Sequence, residues 1–252
     1  MINASHHANE WLTSLIVMMF VENYLETYYT HEIYKGYNIR EIWNKTSIYI
    51  IPMVNPDGVN LVLKENKILN NDKYKNIWEQ HIDNIENWKA NIRGVDINVN
   101  YPTGWEEARK NKYKKGISSP GPRDFVGANP ASEIETLNMI NFTKLHKFDL
   151  TISLHSQGKE IYWSYQDKKD NKALEIGQKF SKISGYTLTE PVYNSSFAGY
   201  KDWYIDTFNK RGFTIEMGEG EEGKPLKLSQ AQEIYNELEE VFFLGAQSVC
   251  DD

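Results

Sequence analysis

Three apolar runs in this chain each deliver a polar group at their end. "SIYIIPMV", Ser47 to Val54, runs into the turn Asn55–Gly58; "LTISL", Leu150 to Leu154, runs into His155; "GFTI" runs into Glu216. Short continuous apolar runs bounded by turn residues read as buried strands. Helical patterns separate them: Glu10 to Tyr29, a segment starting near Ser132, Asn171 to Ser184, Gly199 to Lys210, and a closing amphipathic stretch from Leu228 to Gln247. Strands alternating with helices predict an α/β sheet covered by helices on both faces. In such sheets sites form beyond the C-terminal ends of the strands. His155, Glu216 and the Asn55–Gly58 turn would all lie there.

The remaining segments are less regular. "EIYW", from Glu160, is a short strand candidate, and "RGVDINVNYPTGW" reads as a short strand leaving into a loop. Lys64 to Asn91 is polar with scattered Trp and Ile. Asn111 to Asn129, rich in Gly, Pro, Ser and Lys, reads as a long surface loop, and loops of that length inside a domain are often functional. No linker or internal repeat divides the 252 residues, so a single domain over 1–252 is expected. The formal net charge of −7 speaks against non-specific nucleic-acid binding, which needs clustered positive charge. One cysteine, Cys250, excludes an intrachain disulfide and a cysteine-based metal site. The longest strongly apolar run, Leu15 to Val21, is too short to span a membrane.

The segment His7-Ala8-Asn9-Glu10 has the form H-x-x-E. With a helix starting near Asn9, both side chains can converge on one ion. A four-residue pattern arises often by chance, and a solvated histidine pair is the plain alternative. His155 adds a third group from a different element, and a catalytic zinc takes three protein ligands and a water. His31, His81 and His146 have no comparable partner. Burying Glu216 at a strand end is costly unless it is paired or functional. Beside a metal-bound water it suits a general base that then serves as general acid; an exposed strand-end glutamate is the alternative. Arg93 and Lys89 could place positive charge at a developing oxyanion, or lie on a solvated face.

Together these residues resemble the zinc carboxypeptidase (funnelin) family. The motif order is similar: H-x-x-E then Trp at His7–Trp11, N-P-D-G at Asn55–Gly58, G-V-D-I-N at Gly94–Asn98, L-H-S at Leu154–Ser156, and T-x-E at Thr214–Glu216. The resemblance covers the chain from residue 3 onward. It implies a mixed, mostly parallel sheet, one Zn²⁺ held by His7, Glu10 and His155, and Glu216 as the catalytic base. It implies an arginine that polarises the scissile carbonyl, assigned to Arg93 with Lys89 as the competitor. Tyr193, or in competition Tyr200, would be the substrate-capping tyrosine. Members carry a helix and a strand hairpin ahead of H-x-x-E, where this sequence has six residues; a truncated form with an uncovered sheet edge prone to self-association is therefore expected.

One departure bears on the substrate. Family carboxypeptidases carry N-R where this chain has Asn98-Val99. Valine cannot make the charge-assisted contact with which that arginine clamps a C-terminal carboxylate. "WKANIRGVDINVNYPTGWE", "SSPGPRDFVG" and "AGYKDW" are similar to the branch of γ-D-glutamyl-meso-diaminopimelate peptidases acting on bacterial cell-wall peptides. That resemblance implies a cell-wall peptide substrate, with Asn98, Arg123 and the acids near Glu219 as candidate readers of it. A metallocarboxypeptidase or amidase on other peptides, and a non-catalytic relic, are the alternatives.

Overall fold

The computed structural model describes residues 1–70, 72–192, 196–221 and 223–250. The chain starts with a short strand, β1 (Ile2–Ala4), then a 3-10 turn at Ala8–Glu10 and the helix α1 (Leu12–Thr30). A small hairpin, β2 (Ile33–Tyr34) and β3 (Tyr37–Asn38), leads into α2 (Ile39–Lys45), β4 (Ile50–Ile51) and α3 (Pro56–Val62). The short helices α4 (Asn66–Leu69) and α5 (Lys75–Trp78) precede α6 (Trp105–Lys114) and α7 (Ile134–His146). Then come β5 (Leu150–His155), β6 (Glu160–Tyr162), α8 (Asn171–Ser184), β7 (Thr187–Thr189), α9 (Tyr200–Phe208), β8 (Arg211–Glu216) and α10 (Ala231–Cys250).

Six of the strands form one mixed sheet in the order β4-β1-β5-β8-β6-β7. β4, β1, β5 and β8 run parallel, β6 runs antiparallel to β8, and β7 is parallel to β6. The register sets His155 opposite Glu216, and Glu216 opposite Glu160. β5 is buried along its whole length, as its near-continuous apolar sequence requires of a central strand. One face packs on α1, α8 and α10 through Leu12, Ile16, Phe20, Phe180, Leu238 and Phe242. The other packs on α7 and α9 through Met139, Ile140, Trp203 and Tyr204. No described helix is long and apolar enough to cross a membrane.

Several local expectations change. Ile2–Ala4, too short to show any period, is an inner strand between β4 and β5, so the H-x-x-E segment is fed by a buried strand. The run from Ser47 to Val54 contributes only Ile50–Ile51 to the ladder, because it lies at the sheet edge and Pro52 has no N–H to donate. The G-V-D-I-N segment is a 3-10 turn at Ile97–Val99 rather than a strand, since the Asp96 carboxylate accepts from the Asn98 N–H and caps the turn. Lys64 to Asn91 folds as short helices and 3-10 turns around Leu61, Ile68, Trp78, Ile85 and Trp88. Helix α6 runs to Lys114, which shortens the expected loop at its start.

Candidate metal centre and active site

Ser5 follows β1, adopts the left-handed φ of 52° and turns the chain into His6 and His7. Hydrogen bonds hold this turn from every side. Thr13 Oγ1 accepts from the Ser5 N–H at 2.9 Å and donates to the Glu10 carbonyl at 2.6 Å. The Asn55 amide donates to the His6 carbonyl (3.1 Å) and the Ala90 carbonyl (3.2 Å), while its oxygen accepts from the Gly58 N–H (3.1 Å). This explains the N-P-D-G turn: a Cβ on Gly58 would lie 2.5 Å from Asn55 Oδ1 and 2.8 Å from the Ala90 carbonyl.

The turn and the end of β5 bring His7, Glu10 and His155 together. His7 Nδ1 lies 2.8 Å from Glu10 Oε1, His155 Nδ1 lies 2.9 Å from Glu10 Oε2, and the two Nδ1 atoms are 3.3 Å apart. Glu10 and His155 are buried and His7 nearly so. Two imidazole nitrogens sharing one carboxylate at these distances form a group that a metal ion could occupy. Burial pulls the His7 imidazole down, but the Glu10 and Asp96 carboxylates outweigh it and push the group up to about 9. Burial raises the Glu10 carboxyl, yet His7, Lys89 and His155 hold it well below the usual range. The 3.3 Å between the two Nδ1 atoms matches the ~3.3 Å between neighbouring ligands of a tetrahedral zinc with bonds of ~2.0–2.1 Å, while the two carboxylate contacts are at hydrogen-bond distance. Two imidazoles and a carboxylate are also a donor set zinc accepts.

Asp96 fixes the His7 tautomer. Its Oδ1 lies 3.2 Å from His7 Nε2, and its Oδ2 accepts from the Asp124 N–H at 3.1 Å. A carboxylate at Nε2 favours a proton there, so Nδ1 is the nitrogen that His7 would offer a bound metal. His7 holds the Asp96 carboxyl far below its ordinary range, against the effect of burial. This residue was legible only as part of a motif. His6, fully buried, contacts Tyr101 Oη through Nε2 (3.0 Å) and stacks on His155 with ring centroids 5.5 Å apart. Burial keeps its imidazole neutral, with the other two histidines adding to the effect, so it is a packing neighbour.

Glu216, at the end of β8, lines a cavity of about 460 Å³ together with His7, Lys89, Asp96, Asn98 and Arg123. A second hollow of about 250 Å³ shares Lys89, Arg123, Glu160, Tyr162 and Glu216 and continues past Asn9, Gln157 and Lys224. The two hollows therefore adjoin at Glu216. Burial raises the Glu216 carboxyl, and Glu10 adds to this, against His155 and Lys89.

The sequence resembles the zinc carboxypeptidases, and the comparisons decide the point: the model of the family described as "Zinc carboxypeptidase" matches residues 1–242. The chain belongs to the zinc carboxypeptidase family. It is 38% identical over 246 residues to the gamma-D-glutamyl-L-diamino acid endopeptidase 1 of Lysinibacillus sphaericus, covering 96% of this chain and 59% of that protein. Against carboxypeptidase B of Bos taurus the identity is 26%, covering 92% of this chain and 54% of the relative. The chain thus spans somewhat over half the length of these curated relatives. The fold is shared with the structure of murein-tripeptide amidase MpaA from Escherichia coli O157, at TM-score 0.58 and 18% identity over 96% of this chain and 79% of that one. Membership in the zinc carboxypeptidases implies one Zn²⁺, and the His7–Glu10–His155 group fits it.

The other expected site residues divide. Lys89 stands in the cavity, with Nζ 2.9 Å from Glu10 Oε1. Arg93 does not: the turn closed by the Gly94 N–H on the Asn91 carbonyl (3.0 Å) sends its side chain outward, half exposed, to Glu133 at 3.5 Å. Asn98 and Arg123 both line the cavity. Tyr200 cannot cap a substrate from where it sits. It opens α9 with its ring fully buried against Tyr101, Trp203 and Tyr204 and its hydroxyl 2.9 Å from Thr143 Oγ1. Tyr193 lies outside the described residues. Sequence reasoning missed Lys201 and Asp202, which look like ordinary helix-surface charges in "AGYKDW" but line the cavity.

Proposed function

We propose that this chain is a zinc hydrolase that cleaves the γ-D-glutamyl bond to a diamino acid, meso-diaminopimelate, in bacterial cell-wall peptides. The observation that carries this reading is the buried His7–Glu10–His155 group beside Glu216 in an open groove. The printed activity of the 38%-identical relative supplies the substrate class. Val99 on the cavity wall supports a substrate not clamped by a terminal-carboxylate arginine. The second hollow adjoining the cavity at Glu216 supports a substrate longer than one residue.

In this reading His7, Glu10 and His155 hold the zinc, and Asp96 orients His7. When bound, zinc supplies a Lewis acid and lowers the pKa of a water to about 7. Glu216 takes a proton from the attacking water as it adds to the amide carbonyl, then returns that proton to the departing nitrogen. The raised Glu216 carboxyl suits a group that must hold and release a proton. Lys89, rather than Arg93, places positive charge beside the developing oxyanion. Asn98 and Arg123 contact the substrate from the cavity wall. The outer edge of β4, with grooves lined by Val21, Ile50, Pro52 and Met53, supports self-association through that edge; a monomer at every concentration in sedimentation would speak against it.

The test compares release of meso-diaminopimelate from L-Ala-γ-D-Glu-meso-diaminopimelate with release of the last residue from an ordinary α-linked peptide, using zinc-loaded protein. Preferred cleavage of the γ-linked peptide is expected. Equal or faster cleavage of the α-linked peptide would overturn the substrate assignment.

A further inference from the structure

The wall of the larger cavity carries a buried ion pair that the proposed chemistry does not use. Lys201 and Asp202, both within 6% exposure, open α9. Lys201 Nζ donates to Asp202 Oδ1 at 2.5 Å and to the Ser164 carbonyl at 2.7 Å. Asp202 Oδ2 accepts from Ser196 Oγ at 2.9 Å. An ammonium has three donors, and these two bonds leave one for the cavity that Lys201 lines. Asn98 belongs to the same cluster: a Cβ on Gly199 would lie 3.3 Å from Asp202 Oδ2 and 3.6 Å from Asn98 Oδ1. An ion pair of this kind is costly to bury, and apolar residues of similar volume would often stabilise the fold as well or better. Its place in a substrate cavity, next to Val99, gives it a reason to be kept.

We infer that Lys201 and Asp202 form the specificity device for a substrate residue bearing an ammonium and a carboxylate on one carbon at the far end of its side chain. This rests on the hydrolase reading above, since it names which groups of that substrate class the cavity reads. The pair is neutral as a unit, and so is the incoming end group. The substrate carboxylate goes to Lys201 and its ammonium to Asp202, so the two pairs exchange partners and no charge is left buried alone. A lysine side chain brings only the ammonium. A 2-aminopimelate side chain brings only the carboxylate. Each would open the pair and leave one member without a partner, a mismatch that buried charged groups penalise strongly.

The experiment titrates the zinc-loaded chain with three amino acids whose α-amine is acetylated, as it is acylated in a peptide, so that only the far end of the side chain can offer an ammonium, a carboxylate or both: meso-diaminopimelate acetylated at its L-centre, Nα-acetyl-L-lysine and N-acetyl-L-2-aminopimelate. The wild-type chain is expected to bind meso-diaminopimelate roughly tenfold to a hundredfold more tightly than either of the others, the range that hydrogen bonds to charged groups carry. Lys201→Met removes the advantage over lysine, Asp202→Asn removes the advantage over 2-aminopimelate, and Lys201→Arg retains most of both. Single variants can destabilise by leaving a charge buried, so the double variant Lys201→Met/Asp202→Leu, which removes both charges, is the decisive one. It is expected to melt near the wild-type Tm and to bind the three compounds alike. Equal binding of all three by wild type, or an unchanged preference in the double variant, overturns the assignment. The hydrolase reading fails separately: a wild type that prefers meso-diaminopimelate yet cleaves no γ-D-glutamyl peptide sinks that reading and supports the pair. Cleavage without any preference among the three sinks the pair alone.

Discussion

The His7–Glu10–His155 group and the wall of the cavity beside it are held by different parts of the chain. His155 ends a buried strand and His7 and Glu10 lie in the turn that follows another, and hydrogen bonds between the side chains of Asn55, Thr13 and Ser5 and the backbone lock that turn. The wall is assembled from loops and a helix start. Arg123 is half exposed and pairs with its own neighbour Asp124 at 3.1 Å, and Val192 is 73% exposed. A small cation tolerates little error in ligand position, so its ligands belong on rigid elements. Substrate recognition can be rebuilt residue by residue on loops without disturbing that frame. Within one family, then, the metal centre is expected to be the constant part and the wall the part that sets the substrate.

The largest effect should come from the group that joins the two regions. Glu216→Gln removes the proposed proton acceptor, keeps the size of the side chain and leaves His7, Glu10 and His155 themselves unchanged. Hydrolysis is expected to fall by roughly 10²–10⁴-fold, the usual contribution of a general acid–base group, while zinc stays stoichiometric by metal analysis. Activity near wild type in that variant would remove Glu216 from the mechanism. Next comes Lys89→Met, expected to lower kcat by about 10²–10³-fold with KM little changed, as for loss of a transition-state donor. A rise in KM alone would make Lys89 a binding residue.

How much of this was legible in the sequence follows from what pattern can carry. His155 and Glu216 could be read because each ends an apolar run long enough to be recognised, and β5, β8, α8 and α10 match their expected spans closely. β1 could not, since three residues show no period and only its two neighbours make it a strand. The proposed preference for Lys89 over Arg93 rests on a single tight turn at Asn91–Gly94, which sends one cation outward and leaves the other inside. Charge alone could not separate them. Asp96 was visible as a letter in G-V-D-I-N, but its hold on His7 spans 89 positions and exists only in the fold. Lys201 and Asp202 have the composition of a solvated helix start; only tertiary packing makes them a buried pair.

A smaller effect tests the support beneath the metal centre. Asp96→Ala leaves His7 Nε2 without its carboxylate, so the imidazole tautomer and ring angle are no longer fixed. Losses of this kind weaken metal affinity or activity by about 10–100-fold. Competition with a chelator of known affinity measures it, and zinc binding as tight as wild type would show that the Glu10 and His155 ligands suffice to set His7.

The smallest expected effect is the sharpest check on the division between the two regions. Arg93 lies one turn away from Lys89, and sequence alone favoured it for the catalytic cation. In the fold its guanidinium meets Glu133 at 3.5 Å in a half-exposed pair. Glu133 is buried, but it also accepts from Asn91 Nδ2 and Ser132 Oγ, both at 2.8 Å, so it keeps partners when the arginine is removed. Arg93→Ala should therefore cost no more than about 1 kcal/mol of stability, the range of exposed ion pairs, and leave kcat/KM within roughly twofold, a shift of under ~0.5 kcal/mol in transition-state stabilisation. Measured beside Lys89→Met under identical conditions, the pair of variants has opposite expectations from one stretch of seven residues, Trp88 to Gly94. If Arg93→Ala loses more activity than Lys89→Met, the turn at Asn91–Gly94 must rearrange when substrate binds, and the wall of the cavity, unlike the metal centre, would not be preformed.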